Sequence, residues 1–127
     1  MNILLLHGAL GTKRQLAFLA DGLDHAHCRS LTFTGHGEDE LPEDGLSFDR
    51  FLHDIDTALE KVDSAVHMFG YSMGGYAALL WAARNPGRVA SVTTLGTKLV
   101  WTPEGLLQEL KKLDPAVMEE KVPEFAM

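Results

Sequence analysis

Gly70-Tyr71-Ser72-Met73-Gly74-Gly75 is the stretch that decides the fold of this chain. An apolar run, residues 65–69, precedes it, and a run rich in alanine and leucine, residues 76–83, follows it. This order predicts a buried strand, a very tight turn with a serine at its apex, and a buried helix. Glycines are needed beside the turn, because the strand and helix backbones come too close there to leave room for a Cβ. The serine hydroxyl is therefore expected to stand free at a helix N-terminus, where it can attack a carbonyl group.

The N-terminus carries a second strand and a second turn. Residues 3–6 are apolar without alternation, as expected of a parallel strand that is covered on both faces. The strand ends in His7-Gly8, and a loop and a helix follow. With a G-x-S-x-G turn after one strand and His-Gly after another, the chain resembles the α/β-hydrolase family. The resemblance covers essentially the whole chain and implies an α/β fold, a parallel sheet with helices on both faces.

The resemblance also implies roles for individual residues. Ser72 would be the nucleophile, and the backbone N–H groups of Ala9 and Met73 would form the oxyanion hole beside it. We expect His7 to be a structural histidine whose ring fixes the loop, not a catalytic base. The residues expected to line the substrate pocket are Leu10, Tyr71 and Trp101.

Composition limits the partners that the protein can have. The 127 residues, 46% of them hydrophobic, are enough to bury the core of one domain. A net charge of −7 without a basic cluster argues against a nucleic-acid partner. A single cysteine, Cys28, excludes an internal disulfide and fits a reducing compartment. Because the first apolar run is too short for a signal peptide or a membrane span, we expect a cytoplasmic protein with no membrane contact.

Between and after the two motifs, strands and helices alternate along the chain. Residues 13–23 have apolar side chains at helical spacing, residues 29–34 form a short strand, and Ser47 begins an amphipathic helix. Residues 89–95 form a further strand. The alternation selects a parallel sheet and places the active site at the carboxyl ends of its strands. We call the turn around Ser72 the elbow and the strand before it the elbow strand. By the resemblance, the strand order runs from residues 29–34 through the N-terminal strand and the elbow strand to residues 89–95.

Residues 97–127 differ in character from the preceding sequence. Trp101-Thr102-Pro103-Glu104 is typical of a helix start, and leucines continue at helical spacing. In the family, helices inserted at this point form a lid over the nucleophile. The residues alone leave open a simpler alternative, two C-terminal helices packed on the sheet. We therefore divide the chain into residues 1–96, the N-terminal part of the core, and residues 97–127, the start of a lid.

No histidine follows Ser72. A serine hydroxyl is a poor nucleophile until an imidazole takes its proton, and the family's chain order is serine, acid, histidine. The six histidines lie at positions 7, 25, 27, 36, 53 and 67. The last two strands of the family's sheet are also missing. We therefore predict an incomplete fold, the N-terminal half of a hydrolase, in which residues 89–95 form a free sheet edge that favours self-association.

For the intact protein, the resemblance implies a serine hydrolase that acts on a small carboxylic ester or related acyl substrate through an acyl-serine. It implies no metal and no organic cofactor, and the five carboxylates of residues 38–44 lack the spacing of a calcium loop. Without an acid and a histidine, the chain alone is expected to be inactive. Two alternatives remain open: a non-hydrolytic lyase of menaquinone biosynthesis, whose elbow resembles G-Y-S-M-G-G, and an inert binding module.

Overall fold

Strands and helices alternate in a computed structural model of the protein, which describes residues 1–23, 27–37, 41–100 and 103–104. Two 3₁₀ helices, Lys13–Leu16 and Pro86–Arg88, accompany the regular elements. The strands and α-helices, in chain order, are β1 (Asn2–Leu6), α1 (Ala17–Gly22), β2 (Cys28–Leu31), α2 (Phe48–Ala58), β3 (Val66–Tyr71), α3 (Met73–Arg84) and β4 (Val89–Leu95).

The four strands form one parallel sheet in the order β2-β1-β3-β4. This is the order that the sequence predicted. In the register of the sheet, Leu6 at the end of β1 lies beside Leu31 and Gly70, and Tyr71 at the end of β3 lies beside Leu95. All four strands therefore end at the same edge, which is where ligands bind in open α/β sheets.

The main core lies between the sheet and the pair α2 and α3. Successive strand residues face opposite sides, so Leu4 and Leu6 point into this core while Leu5 points to the other face. Trp81 is only 1% exposed, and its indole N–H donates a 2.8 Å hydrogen bond to Asp56. On the opposite face Leu5 is buried, and the first 3₁₀ helix contacts β1 and β2 there. Helices thus cover both faces of the sheet, as predicted.

The strand predicted over residues 29–34 is shorter than expected. It begins at Cys28 and ends at Leu31. Two side chains explain the early end: the Phe33 N–H donates to the His7 ring, and the Thr34 N–H donates to Asp54. Because these amides bond to side chains, they are not available to a neighbouring strand. The helix predicted over residues 13–23 likewise divides into the 3₁₀ helix and α1, with Thr12 as the predicted N-cap.

The two longer helices begin where the sequence predicts. Ser47 caps α2, its side chain accepting a hydrogen bond from the Arg50 N–H. The apolar stripe continues past the end of α2 at Ala58, since Leu59 and Val62 are also buried. Helix α3 is less buried than predicted, with 36% of Leu79 exposed. None of the helices in the described part of the chain is long and apolar enough to cross a bilayer.

The chain forms two compact units, Met1–Thr97 and Lys98–Met127. The first contains the sheet and its helices. Of the second, residues 98–100, 103 and 104 are described, so the predicted lid helices and Trp101 lie outside the described residues. The division into a core over residues 1–96 and a lid over residues 97–127 stays a prediction.

Candidate active site

Ser72 stands at the apex of the turn between β3 and α3 in a strained backbone conformation. Its φ is 52° and its ψ is −112°, outside the regions that a residue with a Cβ prefers. Within the described ranges Leu10, with φ 65°, is the only other non-glycine residue with a positive φ. Ser72 follows β3 and Leu10 lies in the loop after β1, so both are at carboxyl ends of neighbouring strands. Strain of this kind costs of order 1–3 kcal/mol and is found mainly at functional sites.

Three glycines around Ser72 make the turn possible. A Cβ on Gly70 would overlap the backbone of Gly74 and Gly75, so the strand and the helix touch directly. A Cβ on Gly74 would overlap the carbonyl oxygens of Leu6 and His7, so the start of α3 also lies against the end of β1. The elbow and the loop after β1 are therefore in contact through their backbones.

The elbow is also tied to β4 and the residues after it. The Ser72 N–H donates to the Leu95 carbonyl at 2.8 Å, and the Thr97 hydroxyl donates to the Ser72 carbonyl at 2.9 Å. A Cβ on Gly75 would overlap this Thr97 hydroxyl oxygen, which explains why a second glycine follows Gly74. These hydrogen bonds hold the strained serine from the side opposite β1.

The Ser72 hydroxyl and the Met73 amide lie where helix α3 begins. Ser72 is the N-cap residue, yet its side chain makes no capping hydrogen bond, and no partner for its hydroxyl is found among the described residues. The Met73 N–H belongs to the first turn of α3, where amides have no acceptor within the helix and the helix dipole favours negative charge. A hydroxyl and an amide that have no hydrogen-bond partner among the described residues thus stand side by side.

His7 occupies the end of β1 and is fully buried. Its Nε2 accepts the Phe33 N–H at 2.9 Å, so Nδ1 carries the proton and donates to the Gly8 carbonyl at 2.7 Å. Burial lowers the pKa of His7 below 6.5, and the nearby His36 lowers it further, while the bond to Gly8 acts in the opposite direction. The ring is therefore neutral at pH 7 and links β1, its loop and the residues after β2. This geometry supports the predicted structural role.

The loop after β1 presents Ala9 and Leu10 beside the elbow. Gly8 packs on Tyr71, since a Cβ on Gly8 would lie 2.9 Å from the Tyr71 ring. The Ala9 N–H has no acceptor within the part of the chain that the structure describes. Three large apolar side chains are exposed at the strand ends, Leu10 at 57%, Tyr71 at 38% and Leu95 at 57%. Tyr71 directly precedes Ser72, Leu95 lies beside Tyr71 in the sheet, and Leu10 lies in the loop after the neighbouring strand β1. That Leu10 and Tyr71 line a substrate pocket stays a prediction.

Three described imidazoles have their hydrogen bonds elsewhere. His7 bonds to Gly8 and Phe33, the His36 ring bonds to the Thr34 carbonyl at 3.2 Å, and the His67 ring bonds to Ser91 at 2.7 Å. None of these three rings bonds to the Ser72 hydroxyl. Within the described ranges, the site therefore combines a serine hydroxyl and two amides that have no hydrogen-bond partner, and none of these three rings is bonded to it as a base.

Sequence reasoning missed the contacts that hold the site together. Thr97 and Gln15 both bond to the backbone of the site, Thr97 to Ser72 and Gln15 to Gly8. The one sequence signal for Thr97 was the second glycine of the motif, which leaves room for its side chain. Gly11 gave the matching signal for Gln15, because a Cβ there would meet the Gln15 amide.

A family model for the alpha/beta hydrolase fold matches residues 2–125. The chain belongs to the alpha/beta hydrolase family. The strand order, the strained serine after β3 and the His-Gly turn after β1 agree with this assignment, and the resemblance deduced from the sequence is confirmed.

Two curated relatives of this alpha/beta hydrolase carry the provisional name 2-succinyl-6-hydroxy-2,4-cyclohexadiene-1-carboxylate synthase. The Bacillus subtilis (strain 168) protein is 27% identical over 97% of this chain and 47% of its own length. The Haemophilus influenzae protein (strain ATCC 51907 / DSM 11121 / KW20 / Rd) is 32% identical over 65% of this chain and 34% of its own length. The chain thus spans about half, or less, of the relatives it matches.

Solved structures show the same fold over about half of their length. MenH from S. aureus superimposes with a TM-score of 0.71 at 28% identity, over 91% of this chain and 45% of that one. An esterase from Exiguobacterium antarcticum superimposes with a TM-score of 0.74 at 19% identity, over 94% and 52%. The match to the esterase shows the fold alone. The predicted incomplete α/β-hydrolase fold is confirmed in the sense that this chain covers half of such a protein.

Proposed function

We propose that this chain carries the nucleophile and oxyanion hole of a serine hydrolase that acts on small carboxylic esters or related acyl compounds. The observation that carries the proposal is the pairing of the two strained residues, Ser72 and Leu10, at neighbouring strand ends. Each holds one half of the predicted site: the hydroxyl with the Met73 amide on one side, and the loop with the Ala9 amide on the other. Each of the two neighbouring turns contains one strained residue, and a functional site built from both turns explains this best.

In the proposed reaction, the Ser72 oxygen attacks the ester carbonyl while its proton passes to an imidazole. The carbonyl oxygen becomes negative and accepts hydrogen bonds from the Ala9 and Met73 amides. The alcohol leaves with the proton from the imidazolium, and an acyl-serine remains. Water then attacks the acyl group with the same imidazole as base, which releases the acid and restores the hydroxyl. The imidazole and its orienting acid are proposed to come from residues outside this chain.

The exposed side chains around Ser72 favour an uncharged acyl group. Leu10, Tyr71 and Leu95 are exposed apolar residues at or just after the carboxyl ends of β1, β3 and β4, and we propose that they form the rim of the site. The first turn of α3 carries neither a basic nor an acidic residue. An ester with a short alkyl chain can bury its apolar part against such a rim. We also propose that the intact protein is located in the cytoplasm.

The second candidate function is the synthase reaction for which the relatives are named. Their identity of 27% and 32%, and the 28% identity of MenH, favour it. The names of the relatives specify a carboxylate, and proteins usually hold carboxylates with Arg or Lys. Because the rim named above contains neither, the ester hydrolase remains the first proposal.

The test is the formation of an acyl-serine from p-nitrophenyl butyrate. Free imidazole is supplied as the base for acylation, and the reaction is quenched with acid at early times, before the acyl-serine is hydrolysed. We expect a Ser72-dependent mass increase of one butyryl group per chain. The Ser72→Ala variant is the control and should show no such increase. A folded chain that never becomes acylated would contradict the hydrolase and favour the synthase or an inert binding module. Activity that needs no added base would contradict the proposed absence of the base.

A further inference from the structure

Gln15 makes an unusual contact with the loop that carries the Ala9 amide. Its side-chain oxygen accepts the Gly8 N–H at 2.9 Å, across seven residues of sequence. The orientation of the Gln15 side-chain amide is fixed by this contact. Because the Gly8 N–H can only donate, it must face the oxygen of Gln15 and not its NH₂ group. Gly8 is buried, so water cannot easily replace this acceptor.

The Gly8 carbonyl is held as firmly as its N–H. It accepts hydrogen bonds from the His7 Nδ1–H at 2.7 Å and from the Gly11 N–H at 3.1 Å. In a trans peptide, the carbonyl of one residue and the N–H of the next point in opposite directions. The bonds from His7 and Gly11 therefore set the direction in which the Ala9 N–H points.

Gln15 fixes the other side of the same glycine. Glycine has the widest choice of φ and ψ, so Gly8 holds a single conformation only if the peptides on both sides of its Cα are bound. His7 and Gly11 bind the peptide that follows Gly8, and Gln15 binds the one that precedes it. If Gln15 lost its oxygen, the Gly8 N–H would be left without this acceptor, and the peptide that precedes Gly8 would be free to rotate.

Gly11 provides independent support, because it leaves a space that the Gln15 side chain fills. A Cβ at position 11 would lie 2.6 Å from the Gln15 oxygen and 2.9 Å from its amide carbon. The Gln15 side chain is thus packed inside the loop, although it belongs to a 3₁₀ helix whose neighbouring residues Lys13 and Arg14 are exposed.

We propose that Gln15 is a positioning residue that aims the Ala9 N–H at the oxygen of the reacting carbonyl. This inference rests on the proposed function, because it requires Ala9 to be an oxyanion donor. Gln15 does not touch the substrate itself. It acts through Gly8, and it helps to keep the donor in place before any ligand arrives, which is what makes such donors effective.

The test compares two variants of similar side-chain length. Gln15→Met removes the acceptor and Gln15→Glu keeps an oxygen at the same position, while Arg14→Met changes an exposed neighbour in the same 3₁₀ helix. The rate of attachment of an alkyl fluorophosphonate to Ser72 is measured with added imidazole. Removing an oxyanion donor typically slows a reaction by 10²–10³-fold, so a misdirected donor should slow labelling about tenfold in Gln15→Met. We expect labelling within about threefold of the native rate in Gln15→Glu, and no change in Arg14→Met.

A purely structural role would lower stability in Gln15→Met without slowing the labelling of the folded molecules, so urea unfolding is measured in parallel. Native labelling by Gln15→Met, or equal losses in Gln15→Met and Gln15→Glu, would overturn the proposal.

If the native chain is not labelled at Ser72 at all, the proposed function has failed, and the position of the loop is then judged by NMR. The Gly8 amide proton should exchange with solvent about tenfold faster in Gln15→Met than in Arg14→Met, as expected when a buried amide loses its acceptor. Equal exchange in these two variants would overturn the role of Gln15 independently of the enzyme reaction.

Discussion

Glycine at position 74 sets how closely α3 can approach β1. A Cβ there would meet the backbone carbonyls of Leu6 and His7, and backbone atoms cannot move aside as a side chain can. We expect Gly74→Ala to lower the free energy of unfolding by about 3 kcal/mol, measured by urea denaturation.

The matched control for Gly74 is Gly22→Ala. Gly22 ends α1, and a Cβ there meets nothing within 4 Å. Because alanine favours a helix more than glycine does, stability should be unchanged or rise by up to about 1 kcal/mol. Equal losses in both variants would show that close packing is not the reason for glycine at position 74.

His7 should make the stability of the protein depend on pH. Its folded pKa lies below 6.5 because burial disfavours the charged ring, so at slightly acidic pH the unfolded chain binds a proton that the folded chain does not. The stabilising contribution is complete above pH 6.5 and is lost as the pH falls from 6.5 towards the folded pKa. The expected slope is up to about 1.4 kcal/mol per pH unit.

The measurement for His7 is urea denaturation between pH 7.5 and pH 5, compared with His7→Gln. Glutamine can donate and accept hydrogen bonds but does not titrate, so this part of the slope should vanish even though the variant is less stable throughout. An unchanged slope would mean that other groups cause the pH dependence.

Single residues of the site differ in how well the sequence predicts them. Ser72 and His7 stand in short motifs whose local order dictates a turn, so their places were predicted. Gln15 and Thr97 act through hydrogen bonds to backbone atoms that the fold brings close, and the sequence marks them only indirectly, through the glycines at positions 11 and 75 that leave room for them. The roles of Ala9 and Met73 stay predictions, although neither amide has an acceptor in the part of the chain that the structure describes.

At the scale of elements, Asp54 in α2 is one of the two side chains that bind the backbone just after β2. Its carboxylate accepts both the Thr34 N–H at 2.7 Å and the Thr34 hydroxyl at 2.8 Å. Asp54→Ala would leave a partly buried N–H without this charged acceptor, so we expect a loss of about 2 kcal/mol in the free energy of unfolding. The exposed Asp63 is a control, and Asp63→Ala should change the stability by less than about 0.5 kcal/mol. A loss in Asp54→Ala no larger than that in Asp63→Ala would contradict this account.

Element types and their order were predicted well, and element ends less well. Hydrophobic residues at helical spacing predicted α2. The apolar runs before and after Ser72 predicted β3 and α3. The end of β2 depends on His7 and Asp54, which are distant in sequence, so periodicity could not locate it. Burial of α3 was overestimated, because an apolar composition does not show which face lacks a neighbour.

For the whole molecule, the position of β4 at the end of the described sheet bears on whether copies of the chain associate. β4 pairs with β3 on one side, and the described part of the chain offers no strand on the other. We expect the chain to self-associate through this edge, with a sedimentation coefficient that rises with protein concentration. Thr93→Lys should reduce the association, because a charged edge residue opposes strand pairing, while Thr57→Lys on the exposed face of α2 should not. A monomer at all concentrations, or equal effects of both variants, would contradict this expectation.

The fold of the molecule could be predicted from two motifs and the alternation of elements, because few topologies place both turns at the same sheet edge. The reaction could not be predicted to the same depth. Esterases and a MenH protein share this fold at similar TM-scores, so the choice between them depends on side chains at the rim and on the source of the base.

The most direct test of the central claim is the rate at which an alkyl fluorophosphonate attaches to Ser72, measured by intact mass as free imidazole is added. The account predicts little labelling without imidazole, a rate that rises with imidazole concentration, and no adduct in Ser72→Ala. An adduct that persists in Ser72→Ala, or a folded chain that is not labelled at any imidazole concentration, would contradict the claim that this turn is built for a nucleophile. Fast labelling without imidazole would show that the chain already contains its base.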